Sequence, residues 1–280
     1  MNRNIPTFLG SDCDYSDARI ILFGAPFDGT ASFRPGTRFA MSAMRGDSWG
    51  LETYSPYQDK ELAEAKVFDA GDLELPFGNT AKVLDQIQEF TGGILSCGKI
   101  PCMVGGEHLT SLGAFRAVYE KYPDVRVIHF DAHTDLREDY LGEELSHATV
   151  MRRIWDIAGD GRIWQFGIRS GERAEFEWAK KHTILHPFDL DGFEDAINML
   201  SGKPVYFSLD LDILDTSVFP GTGTPEPGGV SFRELLDVVL KLSTLSIVGL
   251  DVCELSPPLD ASGASTAVAC KILRELLMVV

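Results

Sequence analysis

Short apolar runs alternate with longer amphipathic stretches along most of the chain. Six runs of five or six residues are apolar and rich in β-branched or aromatic side chains, at 19–23, 100–104, 125–130, 162–166, 205–209 and 246–250. Such runs predict strands buried on both faces of a sheet. The stretches at 80–95, 109–122, 147–157, 231–242 and 264–278 have the spacing of amphipathic helices. This alternation predicts an α/β protein with three α-β-α layers, built on a mainly parallel sheet of about eight strands.

The interruptions of this pattern indicate how the chain is divided. Glycine and proline concentrate at 33–39 and 220–229, which we predict to be loops. No internal repeat, low-complexity tract or linker separates one part of the 280 residues from another. We therefore predict a single domain over 1–280.

Composition and charge narrow the class of protein. The 44% apolar content is enough for a full core, and 42 acidic residues exceed 25 lysines and arginines, for a net charge of −17. This charge disfavours nucleic acid and anionic membranes as partners and favours a cationic substrate or a bound metal. No apolar window is long enough to span a membrane, and the first ten residues lack a signal-peptide pattern, so we expect a cytoplasmic protein. The five cysteines have no CxxC spacing, which predicts reduced thiols and not a zinc knuckle.

Acidic and histidine residues directly follow four of the predicted strands. The segments are GGEH at 105–108, DAHTD at 131–135, DLD at 210–212 and DVCE at 251–254. Ligands of parallel sheets bind at the carboxyl ends of the strands, where these segments lie. Residues two apart in an extended segment point to the same side, so Asp131, His133 and Asp135 are expected to converge, as are Asp210 and Asp212.

The charges of these side chains predict the kind of ligand. Four aspartates at one sheet edge, with no lysine or arginine among them, repel one another unless cations lie between them. Carboxylate and imidazole ligands without a thiolate favour Mn²⁺, with zinc less typical of so oxygen-rich a site. Two such ions about 3.5–4 Å apart lower the pKa of a shared water and supply hydroxide for attack on carbon or phosphorus.

The same segments resemble the signature blocks of a known family. GGEH, DAHTD, SLDLDILD at 208–215, PGTGTPEPGG at 220–229 and DVCE are similar to those of the ureohydrolases, the arginase and agmatinase family. The resemblance extends from Gly24 to the last predicted helix. The sequence of the segment after DAHTD resembles the corresponding segment of bacterial agmatinases more than that of arginases.

The resemblance implies a set of site residues and a reaction. It implies two Mn²⁺ ions per subunit, one held by His108, Asp131, Asp135 and Asp210 and the other by Asp131, His133, Asp210 and Asp212. It also implies His147 as the proton-shuttling histidine and Glu254 as the carboxylate that holds the guanidinium group. The reaction would be attack of hydroxide on the guanidinium carbon, with release of urea and an amine. Relatives assemble as trimers or hexamers, which implies a homo-oligomer.

The loop after DAHTD bears on the choice of substrate. Residues 136–146 carry Glu138, Asp139, Glu143 and Glu144 against one arginine, Arg137. This charge favours the distal ammonium of agmatine, and Asp139 and Glu143 are the predicted substrate-binding residues. We therefore expect conversion of agmatine to putrescine and urea.

Other functions and two secondary residues stay open. Guanidinobutyrate, guanidinopropionate, arginine and formiminoglutamate are alternative substrates. A deacetylase-like hydrolase with one zinc and a catalytically silent metal-bound relative are alternative proteins. Asp251, three residues before Glu254, is predicted to support the site without binding metal. Glu107 replaces an aspartate that is frequent in relatives and lies beside a predicted ligand.

Overall fold

A computed structural model describes residues 6–280. Residues 1–5 of the predicted domain, which also begin the segment considered above for a signal peptide, lie outside the described part. The strands are β1 (Ile20–Ala25), β2 (Tyr54–Ser55), β3 (Lys60–Glu61), β4 (Val67–Asp72), β5 (Ile100–Gly105), β6 (Arg126–Phe130), β7 (Ile163–Ile168), β8 (Ile184–Pro187), β9 (Pro204–Asp210) and β10 (Ser246–Cys253). The α-helices are α1 (Ala40–Asp47), α2 (Thr80–Ser96), α3 (Thr110–Lys121), α4 (Val150–Ala158), α5 (Arg173–His182), α6 (Phe193–Leu200), α7 (Phe232–Lys241) and α8 (Ala264–Val279).

Eight of the strands form one sheet in the order β4-β1-β5-β10-β9-β6-β7-β8. All neighbours in this sheet pair in parallel. The two remaining short strands, β2 and β3, pair antiparallel with each other. The predicted α/β class, with a parallel sheet of eight strands, is confirmed.

Each of the six predicted strands and five predicted helices is present, with small shifts at the ends. The predicted helix at 147–157 begins with a single 3₁₀ turn, His147–Thr149, before α4. The pattern did not reveal β4 and β8 or the helices α1, α5 and α6. β4 contains two aspartates and a glycine, and β8 has four residues at the sheet edge, so neither shows a continuous apolar run.

Alternating residues of each strand face opposite helical layers. On β1, Ile20 and Leu22 belong to a core that includes residues of α1, α7 and α8. Ile21 and Phe23 belong to a second core with residues of α2, α3 and α4. Because the two faces of the sheet are each covered by helices, the fold has three layers. The carboxyl ends of the strands are not covered in this way, and polar side chains gather there. No helix among residues 6–280 is long and apolar enough to cross a membrane.

Candidate active site

Four neighbouring strands at the centre of the sheet bring the predicted residues together. β5, β10, β9 and β6 lie side by side, and the residues that follow them in the chain meet at one edge. The side chains gathered there are His108, Asp131, His133, Asp135, Asp210, Asp212 and Glu254, all buried except His133, which is partly exposed. Since β9 and β10 are inserted between β5 and β6, residues distant in the chain become neighbours.

The His108 ring lies at the centre of three carboxylates. Its Nδ1 atom is 3.1 Å from Asp131 Oδ2, 3.2 Å from Asp135 Oδ2 and 3.4 Å from Asp210 Oδ2. One imidazole nitrogen therefore faces three carboxylate oxygens in a buried space. This donor set is suited to a divalent cation that prefers oxygen with some nitrogen.

A hydrogen-bond chain fixes the orientation of His108. The Ser208 hydroxyl donates to Asp251 Oδ1 over 2.9 Å, so it accepts from His108 Nε2 over 2.8 Å. Asp251 also accepts from the Tyr206 hydroxyl over 2.5 Å. With the proton on Nε2, Nδ1 carries the lone pair toward the carboxylates. Asp251 thus supports a candidate ligand without being one.

The second part of the cluster is formed around His133. Its Nδ1 atom is 3.0 Å from Asp212 Oδ2 and 3.5 Å from Asp131 Oδ1. Asp212 Oδ2 is fully buried and accepts no hydrogen bond from any of residues 6–280. Buried carboxylate oxygens are normally satisfied, so this orphaned atom fits a metal ligand.

The charges of the cluster compete strongly. Burial opposes ionisation of Asp131, but the rings of His108, His129 and His133 that face it lower its pKa well below the usual value. Burial and the charges of Asp212 and Asp131 raise the pKa of Asp210 well above its usual value. The ion-pair partners of the four aspartates within residues 6–280 are all histidines. Positive charge from bound cations would relieve this repulsion.

The geometry divides the candidate ligands into two overlapping groups. One is His108, His129, Asp131 and Asp135, and the other is Asp131, His133 and Asp212. Asp131 belongs to both, as expected of a bridging residue. His129 takes a place that the family resemblance implies for Asp210, but its Nε2 donates to Asp131 Oδ2 over 2.8 Å and its Nδ1 accepts from the Gln165 amide group. His129 therefore supports Asp131, and Asp210, whose Oδ2 faces His108, stays a candidate ligand.

Glu254 is held in a strained backbone conformation beside this cluster. Its φ angle of 68° is in the left-handed region, which is uncommon for residues other than glycine. Its amide donates to Gly106 O over 3.1 Å, and its Oε1 accepts from the His108 amide over 2.7 Å. Burial and the charge of Glu107 raise the pKa of Glu254 well above its usual value. A cation bound at its other oxygen would stabilise the carboxylate.

His147 lies across the cavity from the strand ends. It starts the 3₁₀ turn before α4, after Ser146 at the N-cap position. Its Nδ1 donates to the Thr30 carbonyl over 2.9 Å, and its Nε2 is 3.2 Å from the Ser32 hydroxyl. Burial lowers the pKa of His147, so the ring is largely neutral at pH 7.

A cavity of about 280 Å³ connects these groups. Its lining includes His108, His133, Asp135, Asp210, His147 and Glu254, together with Arg137, Tyr140, Glu172 and Glu175 on the outer side. A larger outer cavity of about 940 Å³ lies next to it, bounded by residues 29–32, 78–81 and 140–146. Glu143 lines this outer cavity. Asp139 is exposed, lines neither cavity, and accepts from the Gly142 amide over 3.0 Å.

Several residues of the site were not identified from the sequence. Ser208 lies two residues before Asp210 on β9, so the alternation along that strand was a usable signal. In the loop after β1, Ser32 lines both cavities and Thr30 lines the outer one. Glu172 and Glu175, at the start of α5, line the inner cavity. No local pattern marks these contacts, because they depend on how distant segments pack.

Comparison with known proteins decides the family. A profile described as the arginase family matches residues 18–279. The chain belongs to the arginase family. A Bacillus anthracis agmatinase is 46% identical over 275 residues, covering 97% of this chain and 95% of that protein.

Solved structures of this family agree with that result. A Clostridium difficile structure has a TM-score of 0.92 and 54% identity, covering 95% of this chain and 98% of its own. The agmatine ureohydrolase of Thermoplasma volcanium has a TM-score of 0.89 and 34% identity, covering 98% and 94% of the two chains. The resemblance to ureohydrolases is thus confirmed, and the buried histidine and aspartate cluster lies in an arginase-family fold.

Proposed function

We propose that this protein hydrolyses agmatine to putrescine and urea with two Mn²⁺ ions bound per subunit. The observation that carries the proposal is the meeting of the histidine and aspartate cluster, Glu254 and His147 in one cavity. Relatives named agmatinase that match nearly the whole chain support the choice of agmatine.

The residues that would hold the ions are the six predicted ligands. The proposed ligands are His108, Asp131, His133, Asp135, Asp210 and Asp212. When bound, two divalent ions supply a water of lowered pKa and balance the charge of the aspartates. The oxygen-rich donor set is the reason for proposing Mn²⁺ over zinc.

Glu254 is the proposed partner of the guanidinium group. Its carboxylate lies within the cavity, and its position is fixed by the His108 amide. A guanidinium cation donates two parallel hydrogen bonds to a carboxylate, which suits recognition and orientation of this poor electrophile. The guanidinium charge would also return the pKa of Glu254 toward its usual range.

His147 is the proposed carrier of the proton that the departing amine needs. The Thr30 carbonyl can only accept, so the neutral ring holds its proton on Nδ1 and presents the Nε2 lone pair. Nε2 can accept a proton on the cavity side and return it to the amine nitrogen. The lowered pKa keeps the ring able to accept at neutral pH.

The outer side of the cavity is proposed to receive the distal ammonium of agmatine. Arg137 is 2.8 Å from Glu172 Oε1 and 3.6 Å from Glu175 Oε2, so its charge is already balanced. Glu143 lines the adjacent outer cavity and is a proposed contact of the ammonium. Asp139 would act by shaping the loop through the Gly142 amide.

The chain is further proposed to form a cytoplasmic homo-oligomer, as the family resemblance implies. Sedimentation of the purified protein measures the number of subunits. A trimer or hexamer is the expected result.

Urea release by the manganese-loaded protein tests the proposed substrate. Agmatine, arginine, guanidinobutyrate and guanidinopropionate are offered in parallel, and the metal content of the same sample is determined. We expect urea from agmatine and about two metals per chain. Urea from another compound alone would refute the choice of agmatine. One metal per chain without urea release would favour the one-zinc hydrolase.

A further inference from the structure

A buried glutamate is linked to His147 through one threonine. Glu107 is 1% exposed and follows β5, next to the candidate ligand His108. The Thr30 amide donates to Glu107 Oε2 over 2.8 Å, and the Thr30 hydroxyl donates to Glu107 Oε1. Both oxygens of the carboxylate are thus engaged by a single residue of the loop at 26–36.

The same threonine contacts His147 twice. The His147 amide donates to the Thr30 hydroxyl oxygen over 3.1 Å, and His147 Nδ1 donates to the Thr30 carbonyl over 2.9 Å. The first contact places the backbone of the 3₁₀ turn, and the second sets the tautomer and the rotation of the ring. The Tyr140 ring also packs against the imidazole, with the ring centroids 5.8 Å apart and the planes nearly perpendicular.

Close backbone packing brings Glu107 and the loop into contact. A side chain at Gly106 would have its Cβ 1.8 Å from Phe27 O, so this position requires glycine. The Gly106 amide donates to Ala25 O over 2.9 Å, and the Glu107 amide donates to Phe27 O over 2.8 Å. The end of β5 is therefore attached directly to the start of the loop.

The far end of the loop has a separate anchor. Asp28 accepts from the Gly36 amide over 2.8 Å and from the Arg38 side chain. The turn of the chain is thus held without the Thr30 hydroxyl. The contacts of Thr30 instead connect Glu107 with His147.

We propose that Glu107 and Thr30 are positioning residues that hold the His147 ring in its tautomer and orientation for proton transfer. The proposal rests on the role proposed above for His147. Neither residue lines the central cavity, so neither needs to touch the reacting guanidinium group, and Thr30 lines only the outer cavity. The glutamate side chain at 107 is long enough to receive both donors of Thr30.

Thr30→Val is the main test, because it removes the hydroxyl and keeps the branched shape and the carbonyl. We expect kcat for urea release to fall about 10-fold with KM and metal content unchanged, since the ring is misplaced but the substrate still binds. Thr30→Ser restores a hydroxyl at the same place and should keep most of kcat. Thr91→Val is the control, because the Thr91 hydroxyl is buried in α2 without a hydrogen-bond partner.

A double-mutant cycle separates positioning from general loss of structure. In the His147→Ala background, Thr30→Val should leave the residual kcat unchanged, because the group it positions is gone. The same cycle with Glu107→Gln provides an independent route if Thr30→Val does not fold. Glu107→Gln should lower kcat less than Thr30→Val, because the amide oxygen still accepts one hydrogen bond.

Two results would overturn the positioning role. One is an unchanged kcat in Thr30→Val and Glu107→Gln. The other is an equal fall of kcat with and without His147. If His147→Ala alone leaves kcat unchanged, the proposed proton carrier is wrong and the positioning role falls with it. The substrate result of the preceding section would stand in each of these cases.

Discussion

Two clusters of carboxylates lie in this fold, one around the buried Asp69 and the exposed Asp72 and one at the strand ends, and they obtain their positive charge differently. In the first, Arg45 binds Asp69 through Nε and Nη2 over 2.8 and 2.9 Å and reaches Asp72 through Nη1 over 2.6 Å. In the second, the aspartates that follow β6 and end β9 have histidines, and no lysine or arginine of residues 6–280, as ion-pair partners. The chain thus supplies a cation to the first cluster itself, whereas bound cations would have to supply it to the second.

This difference separates a structural cluster from a functional one. Burial alone would lower the pKa of Arg45, but Asp69 and Asp72 offset it and raise that pKa. Around Asp210, burial and like charges act in the same direction and raise its pKa. A buried acid with an internal cation is satisfied in the folded chain, whereas the acids of the site retain the capacity to bind a ligand.

Loss of a bridging carboxylate should have the largest effect. Asp131→Ala is expected to lower urea release by at least about 10⁴-fold and to reduce metal content, since Asp131 belongs to both groups of candidate ligands. Elemental analysis and urea release from the same preparation measure both quantities. Two metals per chain in an active Asp131→Ala protein would show that the cluster is not the metal site.

Loss of the internal cation should instead affect folding. Arg45→Met leaves the buried Asp69 without its cation, and we expect the free energy of unfolding to fall by about 3 kcal/mol, with the exposed Asp72 adding little. Metal content and kcat per folded molecule should not change. Arg233→Met removes an exposed arginine 3.0 Å from Asp237, and its expected cost is below about 0.5 kcal/mol. Equal unfolding midpoints for the two variants in denaturant would contradict this account of the Arg45 cluster.

Glu254→Gln tests an acid whose proposed partner is the substrate. The amide oxygen can still accept from the His108 amide, but the negative charge that would hold the guanidinium group is lost. We expect kcat to fall about 100-fold with metal content intact. Glu177→Gln on the exposed face of α5 is the matched control. A parallel loss of manganese would identify Glu254 as a ligand and not as a substrate contact.

Much of the histidine and aspartate cluster could be predicted from the sequence. Asp131, His133 and Asp135 follow an apolar run at spacings of two, and this local pattern places them at a strand end on one side. The insertion of β9 and β10 between β5 and β6 is not local, so the pattern could not show that Asp210 and His108 are neighbours. The family resemblance supplied that pairing.

The supporting contacts were harder to predict. Asp251 and Ser208 lie opposite each other on β10 and β9, and only the register of the two strands shows that they form a chain to His108. Thr30 lies in a loop without regular structure, and its partners are 77 and 117 residues away. Contacts of this kind depend on tertiary packing, which residue spacing does not encode.

A third kind of carboxylate in this fold is stabilised by neutral hydrogen-bond donors and not by a cation. Its substitution should have the smallest effect on stability. Asp260 accepts from the amides and hydroxyls of Ser262 and Ser265, and these hydrogen bonds lower its pKa below the usual value. The unfolded chain therefore takes up a proton before the folded chain does as the pH falls. The contribution of this group to stability is complete above about pH 4 and decreases below it.

Asp260→Asn should therefore destabilise the protein by about 1 kcal/mol at pH 7 and by less at pH 3.5. Denaturant unfolding of both proteins at the two pH values measures the difference, with Asp17→Asn at an exposed turn as the control. A difference that grows on acidification would mean that the charge of Asp260 is unfavourable in the folded state. Hydrogen bonds from serines would then not be enough to stabilise a partly buried carboxylate. A buried carboxylate in this fold would need a nearby cation, as Asp69 has in Arg45.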